Sequence, residues 1–78
     1  MEYTVSDEQL LADINNTEKE LDEYDKLQRG FLILSNLPEN NGAMSLKYYS
    51  SRSEYFRLYK ECGEFLQKLL ELKKQRGL

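Results

Sequence analysis

Residues 51–76, SRSEYFRLYKECGEFLQKLLELKKQR, have the clearest helical pattern in the chain. Two sets of apolar residues recur there at alternating spacings of three and four, as one face of an α-helix requires. The first set is Tyr55, Leu58, Cys62, Phe65, Leu69 and Leu72, and the second is Phe56, Tyr59, Gly63, Leu66 and Leu70. Because a helix turns about 100° per residue, the two sets merge into an apolar arc of roughly 200°. We expect the first set to face a second helix, and the second set to face outward.

The stretch over residues 6–35 has a narrower apolar stripe, which suits a single partner helix. Its positions are Leu10, Ile14, Thr17, Leu21, Tyr24, Gln28 and Phe31. They repeat close to every 3.5 residues, the period of a left-handed coiled coil. Ser6, with Gln9 three residues later, predicts a capped helix start.

A break separates the two helices at about residues 36–43. Pro38 disfavours helix at the residue before it, and the Asn41-Gly42 pair turns readily. The second helix then begins near Met44 and runs to about residue 76, or it begins near Ser51, where a second capping pattern occurs. The sequence therefore predicts one all-α domain, a coiled-coil-like antiparallel hairpin of two helices. Dimerisation into a four-helix bundle would cover the rest of the arc.

Composition sets limits on location. The chain has 78 residues, a net charge of −3 and one cysteine, which excludes an internal disulfide. No basic and apolar leader opens it, and its longest apolar run, residues 31–34, is far below the ~20 residues that cross a bilayer. We expect a cytoplasmic protein without a membrane segment.

Charge is distributed unevenly along the chain. Residues 1–25 contain nine acids and one base, and residues 51–78 contain seven bases and four acids. In an antiparallel hairpin these two blocks lie side by side, and each complements the dipole of its own helix. A dedicated acidic docking surface is the alternative interpretation.

Residues that could perform chemistry are scarce. The chain has no histidine, which excludes histidine triads and histidine metal sites. The four glycines are too dispersed for a phosphate-binding loop. Pairs of carboxylates such as Glu18 and Asp22 have the spacing of a solvated helix face, and Cys62 lies within an apolar set. We expect no catalytic residue, no cofactor and no metal.

Aromatic and basic residues alternate between Tyr48 and Lys60. Such residues are enriched at protein interfaces, and they also stack and hold single-stranded nucleic acid. The acidic net charge argues against nucleic acid. We expect a partner to bind Tyr48, Tyr49, Arg52, Asn40 and Asn41, and self-association to use Phe56, Tyr59, Leu66 and Leu70.

The sequence thus favours a small non-catalytic module for protein–protein contact. Its expected role is a regulator or inhibitor that docks on a larger protein, such as one encoded by a phage or another mobile element. A structural subunit of a helical homo-oligomer is the first alternative. A nucleic-acid-associated protein that uses residues 48–60 is the second.

Overall fold

The computed structural model describes residues 4–78, which form two α-helices and no strand. Helix α1 comprises Asp7–Ser35 and helix α2 comprises Gly42–Gln75. The helices run antiparallel and pack along their length into a hairpin about 53 Å long. The predicted all-α helical hairpin is therefore confirmed. Neither helix within this part of the chain is both long and apolar enough to cross a membrane.

Helix α1 begins at the predicted cap. Ser6 has an extended backbone, and its Oγ accepts a hydrogen bond from the Gln9 backbone N–H at 3.1 Å. This satisfies one of the four N–H groups that lack a partner at a helix start. The Gln9 side chain donates onward to Asp13 Oδ1 at 2.7 Å. Asp7 and Glu8 place negative charge in the first turn, where the helix dipole favours it.

Three asparagines close the loop between the helices. The Asn36 side-chain amide donates to the Leu32 carbonyl at 2.9 Å, and the Asn40 amide donates to the Leu34 carbonyl. Asn41 caps α2, because its Oδ1 accepts from the Met44 backbone N–H at 2.8 Å. Helix α2 is then continuous through residues 51–54, so that the second capping pattern lies inside a helix.

Facing residues repeat every seven positions in both helices. The facing pairs are Leu10 with Leu69, Thr17 with Cys62, Tyr24 with Tyr55, and Phe31 with Tyr48. Seven residues of helix rise about 10.5 Å, so the pairs form four evenly spaced layers. The layers change from aliphatic at the chain ends to aromatic at the loop.

The buried apolar core is small and lies at the end of the hairpin that holds both chain ends. Leu10, Ile14 and Leu69 are buried, and Val5, Leu66 and Leu72 pack against them. Arg76 joins the two helices at this end, since its Nη1 donates to the Val5 carbonyl at 2.7 Å and to Asp7 Oδ1 at 3.1 Å. The acidic start of α1 therefore lies beside the basic end of α2, as the charge pattern predicts.

The orientation of α2 differs from the predicted one. Helix α1 packs on the middle of the apolar arc, where Cys62, Leu66 and Leu69 lie, and does not pack on one edge of it. The assignment of Leu66 to the outward face is wrong, because it contacts the core, and that of Phe65 to the core is wrong, because it is 45% exposed. Packing through the centre of a wide arc leaves an apolar flank on each side of the contact.

Candidate interaction surface

One apolar flank of α2 forms a continuous surface, which we call the α2 stripe. It consists of Tyr49, Arg52, Phe56, Tyr59, Gly63, Leu66 and Leu70. The spacing alternates between three and four, so these residues follow one side of the helix for about 32 Å. Tyr49 is 54% exposed, Leu70 39% and Phe56 38%. A straight apolar seam of this length has the shape that docks another helix.

Arg52 is held in the stripe by an aromatic side chain. Its guanidinium carbon lies 4.7 Å from the centre of the Phe56 ring, and the Phe56 and Tyr59 rings are 6.5 Å apart. Arg52 Nε is buried and has no hydrogen-bond partner within the described part of the chain. A buried donor without an acceptor costs about 1–3 kcal/mol, and more when it is charged. The arrangement therefore positions a cation that lacks an acceptor.

An acidic cleft lies beside the stripe. Glu18, Leu21, Asp22 and Asp25 of α1 line it together with Tyr59, and its volume is about 280 Å³. Gly63 is next to this cleft, because a Cβ at that position would lie 3.7 Å from Leu21 Cδ1. The cleft is open to solvent and carries the negative charge of three carboxylates.

Two of these carboxylates have basic partners on their own helix. Asp22 pairs with Lys26 at 2.9 Å, and Asp25 pairs with Arg29 at 3.1 Å. The Asp22 carboxylate, as hydrogen-bond acceptor and as nearby charge, raises the pKa of Lys26. Exposed pairs four residues apart contribute only about 0.3–0.5 kcal/mol, so a better-placed cation can replace them. Glu18 forms no hydrogen bond or ion pair within residues 4–78.

The predicted partner-binding residues have separate positions and tasks. Tyr48 stacks on Phe31 with ring centres 6.3 Å apart, and the side chains of Asn40 and Asn41 hold the loop and cap α2. Tyr49 and Arg52 remain available on the surface. They belong to the same stripe as the predicted self-association residues, so the structure joins two predicted surfaces into one.

Sequence reasoning did not place the acids of α1 next to the stripe. Their spacing shows only that Glu18, Asp22 and Asp25 share a face of α1. Which residues of α2 lie opposite depends on the rotation of that helix, and the sequence misassigned this rotation. The proximity of Gly63 to Leu21 gives the missing information.

A second apolar depression lies on the other side of the hairpin. Lys26, Leu27, Gly30, Phe31 and Leu34 line it, and its volume is about 160 Å³. The spacing of Leu27, Gly30 and Leu34 is the sequence signal for this groove. Its wall belongs to one helix, so it is shallower in form than the cleft between α1 and the stripe.

Cys62 lies inside the helix contact. Its Sγ donates to the Thr17 carbonyl at 3.6 Å, and burial, with a contribution from the charge of Glu20, raises the pKa of the thiol. A protonated thiol is a poor nucleophile and a poor metal ligand. This position is that of a small packing residue.

The described residues contain no group of three or more cysteine, aspartate or glutamate side chains arranged to hold a metal ion. The acidic cleft and the α2 stripe offer charge, aromatic surface and an unsatisfied cation, which are means of binding. Comparison with models of known protein families, with curated proteins and with solved structures finds no match for the chain.

Proposed function

We propose that the protein is a small non-catalytic interaction module that regulates or inhibits a larger protein by docking on it through the α2 stripe. The observation that carries this proposal is the surface that the hairpin leaves uncovered. The chain exposes 6004 Å² for a mass of 9.3 kDa. A compact monomer of that mass exposes about 5,000 Å². The difference exceeds the roughly 800 Å² that each partner buries in a standard interface.

The chemistry of the stripe supports contact with protein. Tyrosine and arginine dominate the binding energy of many interfaces, because rigid rings and a planar cation lose little entropy when they are buried. Tyr49 and Arg52 supply both groups at the loop end, with Phe56 as the apolar surface between Arg52 and Tyr59. Contact without catalysis and without a cofactor is the corresponding mode of action.

The nucleic-acid alternative has less support. Phosphate binding depends on clustered positive charge. The carboxylates of Glu18, Asp22 and Asp25 border the stripe along its centre and repel a phosphate backbone there. A cytoplasmic location is also part of the proposal, because a lone free cysteine suits a reducing compartment.

Affinity capture from the native host tests the proposal. The bait is the tagged chain, compared with a Tyr49→Ala/Arg52→Ala variant. The matched control is Leu46→Ala/Lys47→Ala, since Leu46 is 66% exposed and lies on α2 outside the stripe. We expect the unchanged chain and the control to enrich the same protein, and the stripe variant to lose it.

Circular dichroism must show equal helicity for the three baits, so that lost capture reports lost contact. Equal capture by all three baits would place the docking surface elsewhere on the hairpin. Failure of the unchanged chain to enrich any protein would contradict the regulator role.

A further inference from the structure

We propose that a second copy of this chain covers the α2 stripe, with the two α2 helices antiparallel about a two-fold axis that passes between residues 57 and 58. The inference deepens the proposed function, and it rests on that proposal for the role of the stripe as a contact surface. The observations behind it are the arrangement of side chains along the stripe, the unpaired Arg52 and the acidic cleft.

A two-fold contact must match a surface with itself. Reversal of the stripe about this axis pairs Tyr49 with Leu66, Arg52 with Gly63, and Phe56 with Tyr59 of the second copy. Alternating spacings make many seams reversible, but the side chains here favour this one register. The longest side chain of the stripe lies opposite its only glycine, as a knob lies opposite a hole in a coiled coil.

The same register supplies the acceptor that Arg52 lacks. Gly63 of the second copy adjoins the acidic cleft, since its Cβ position is 3.7 Å from Leu21. An arginine that passes over this glycine brings its guanidinium to the carboxylates of Glu18, Asp22 and Asp25. Arg52 Nε is buried without a partner in the single chain, as far as residues 4–78 show, and these acids are strong acceptors for it. Symmetry provides the contact twice.

The area available agrees with a stable dimer. Each copy exposes about 1,000 Å² more than a compact monomer of its mass, and a standard interface buries roughly 800 Å² on each partner. A second copy is therefore large enough to account for most of the excess. Tyr49 and Arg52 are in this contact, so a larger protein that binds them competes with the second copy.

The first measurement is the mass of the pure protein by light scattering at micromolar concentration. We expect twice the chain mass of 9.3 kDa. A mass of 9.3 kDa, even at a concentration on the order of 100 μM, would overturn the inference. It would leave the proposed function standing if affinity capture still depended on Tyr49 and Arg52, with a larger protein then the occupant of the stripe.

Charge reversal tests the register. Arg52→Glu places a carboxylate against the acidic cleft of the second copy, and Glu18→Lys places an ammonium group against the second copy's arginine. Each variant alone therefore brings like charges together. We expect each to weaken its homodimer by about tenfold or more. Arg57→Glu is the matched control, because Arg57 is exposed on α2 outside the stripe and the charge changes by the same amount. The control should dimerise like the unchanged chain.

Mixing the Arg52→Glu and Glu18→Lys variants gives the decisive result. In a heterodimer, the introduced glutamate of one chain meets the introduced lysine of the other, and the unchanged Arg52 meets the unchanged Glu18. Both contacts are then favourable, so the mixture should recover the dimer that each variant loses. An effect of Arg52 within its own chain cannot be repaired in this way. Unchanged dimers of Arg52→Glu, or a mixture that stays monomeric, would overturn the register.

A second variant keeps the test valid if Arg52→Glu fails to fold. Gly63→Leu fills the position opposite Arg52, whereas the 3.7 Å contact with Leu21 leaves ordinary space for a Cβ within the hairpin. We expect its helicity to persist and its dimer to be lost. The control is Gly30→Leu, where no atom lies within 4 Å of the added Cβ. Dimerisation of Gly63→Leu at the unchanged affinity would reject the close approach at this site.

Discussion

At the end of the hairpin that holds both chain ends, Leu10, Ile14 and Leu69 are buried, whereas at the loop end the Phe31 ring stacks on half-buried tyrosines. The Phe31 and Tyr55 rings are 5.6 Å apart and nearly parallel. Leucine and isoleucine fill a narrow space between two helices and exclude water. Tyrosine rings are larger and carry a hydroxyl that stays hydrated, so an aromatic layer remains partly open.

The difference indicates that stability and binding are assigned to different ends. Burial of apolar area is the main source of folding free energy, and it is concentrated in the aliphatic layer. The aromatic layers bury less but place Tyr49, Arg52 and Phe56 on a surface that other molecules reach. A hairpin with a uniform leucine seam would gain stability and lose this surface.

The largest expected effect comes from the aliphatic layer. Leu69→Ala removes a buried side chain, and such changes cost about 2–5 kcal/mol, comparable with the whole stability of a small domain. We expect the chain to lose most of its helicity at room temperature, measured by circular dichroism. Leu46→Ala is the control of the same chemistry, at a residue that is 66% exposed. Equal melting of both variants would contradict the position of the core.

A smaller effect is expected at the aromatic end. Phe31→Ala removes stacking with Tyr48 and Tyr55, and two aromatic pairs contribute about 1–3 kcal/mol together. Hydrogen exchange should show faster exchange of amides near the loop, with protection near Leu10 and Leu69 retained. Ile33→Ala, at an exposed position of the same helix turn, should leave both regions protected. Uniform loss of protection would show that the two ends unfold as one unit.

The smallest effect is expected for the ionic contact at the chain ends. Arg76→Ala removes hydrogen bonds to the Val5 carbonyl and to Asp7, a pair whose partly exposed position limits it to about 0.2–1 kcal/mol. Thermal melting should show a slight decrease that fades as salt rises, because salt already screens the pair. Lys74→Ala, at an exposed neighbour, is the control. A salt-independent loss would assign the effect to packing of the arginine side chain instead.

Local signals in the sequence determine most of the fold. Ser6, Pro38 and Asn41 each act within a few residues, so the start of α1 and the loop follow from nearby hydrogen bonds and sterics. The rotation of α2 does not follow, because an arc of roughly 200° contains several possible contact faces. Leu66 and Phe65 are both apolar neighbours on this arc, and only the tertiary contact decides which one is buried. The acidic cleft depends on that rotation, which is why the spacing of its carboxylates alone did not locate it.

The four layers also set an order of folding events. Phe31 and Tyr48 are 17 residues apart in sequence, whereas Leu10 and Leu69 are 59 apart. Loop closure costs more entropy for longer separations, so the aromatic layer next to the loop forms first and pairing then proceeds toward the chain ends. The aliphatic layer closes last and is the one whose opening limits the lifetime of the folded state. In stopped-flow kinetics, Phe31→Ala should therefore slow folding, while Leu69→Ala should mainly accelerate unfolding, and the reverse assignment would reject this order.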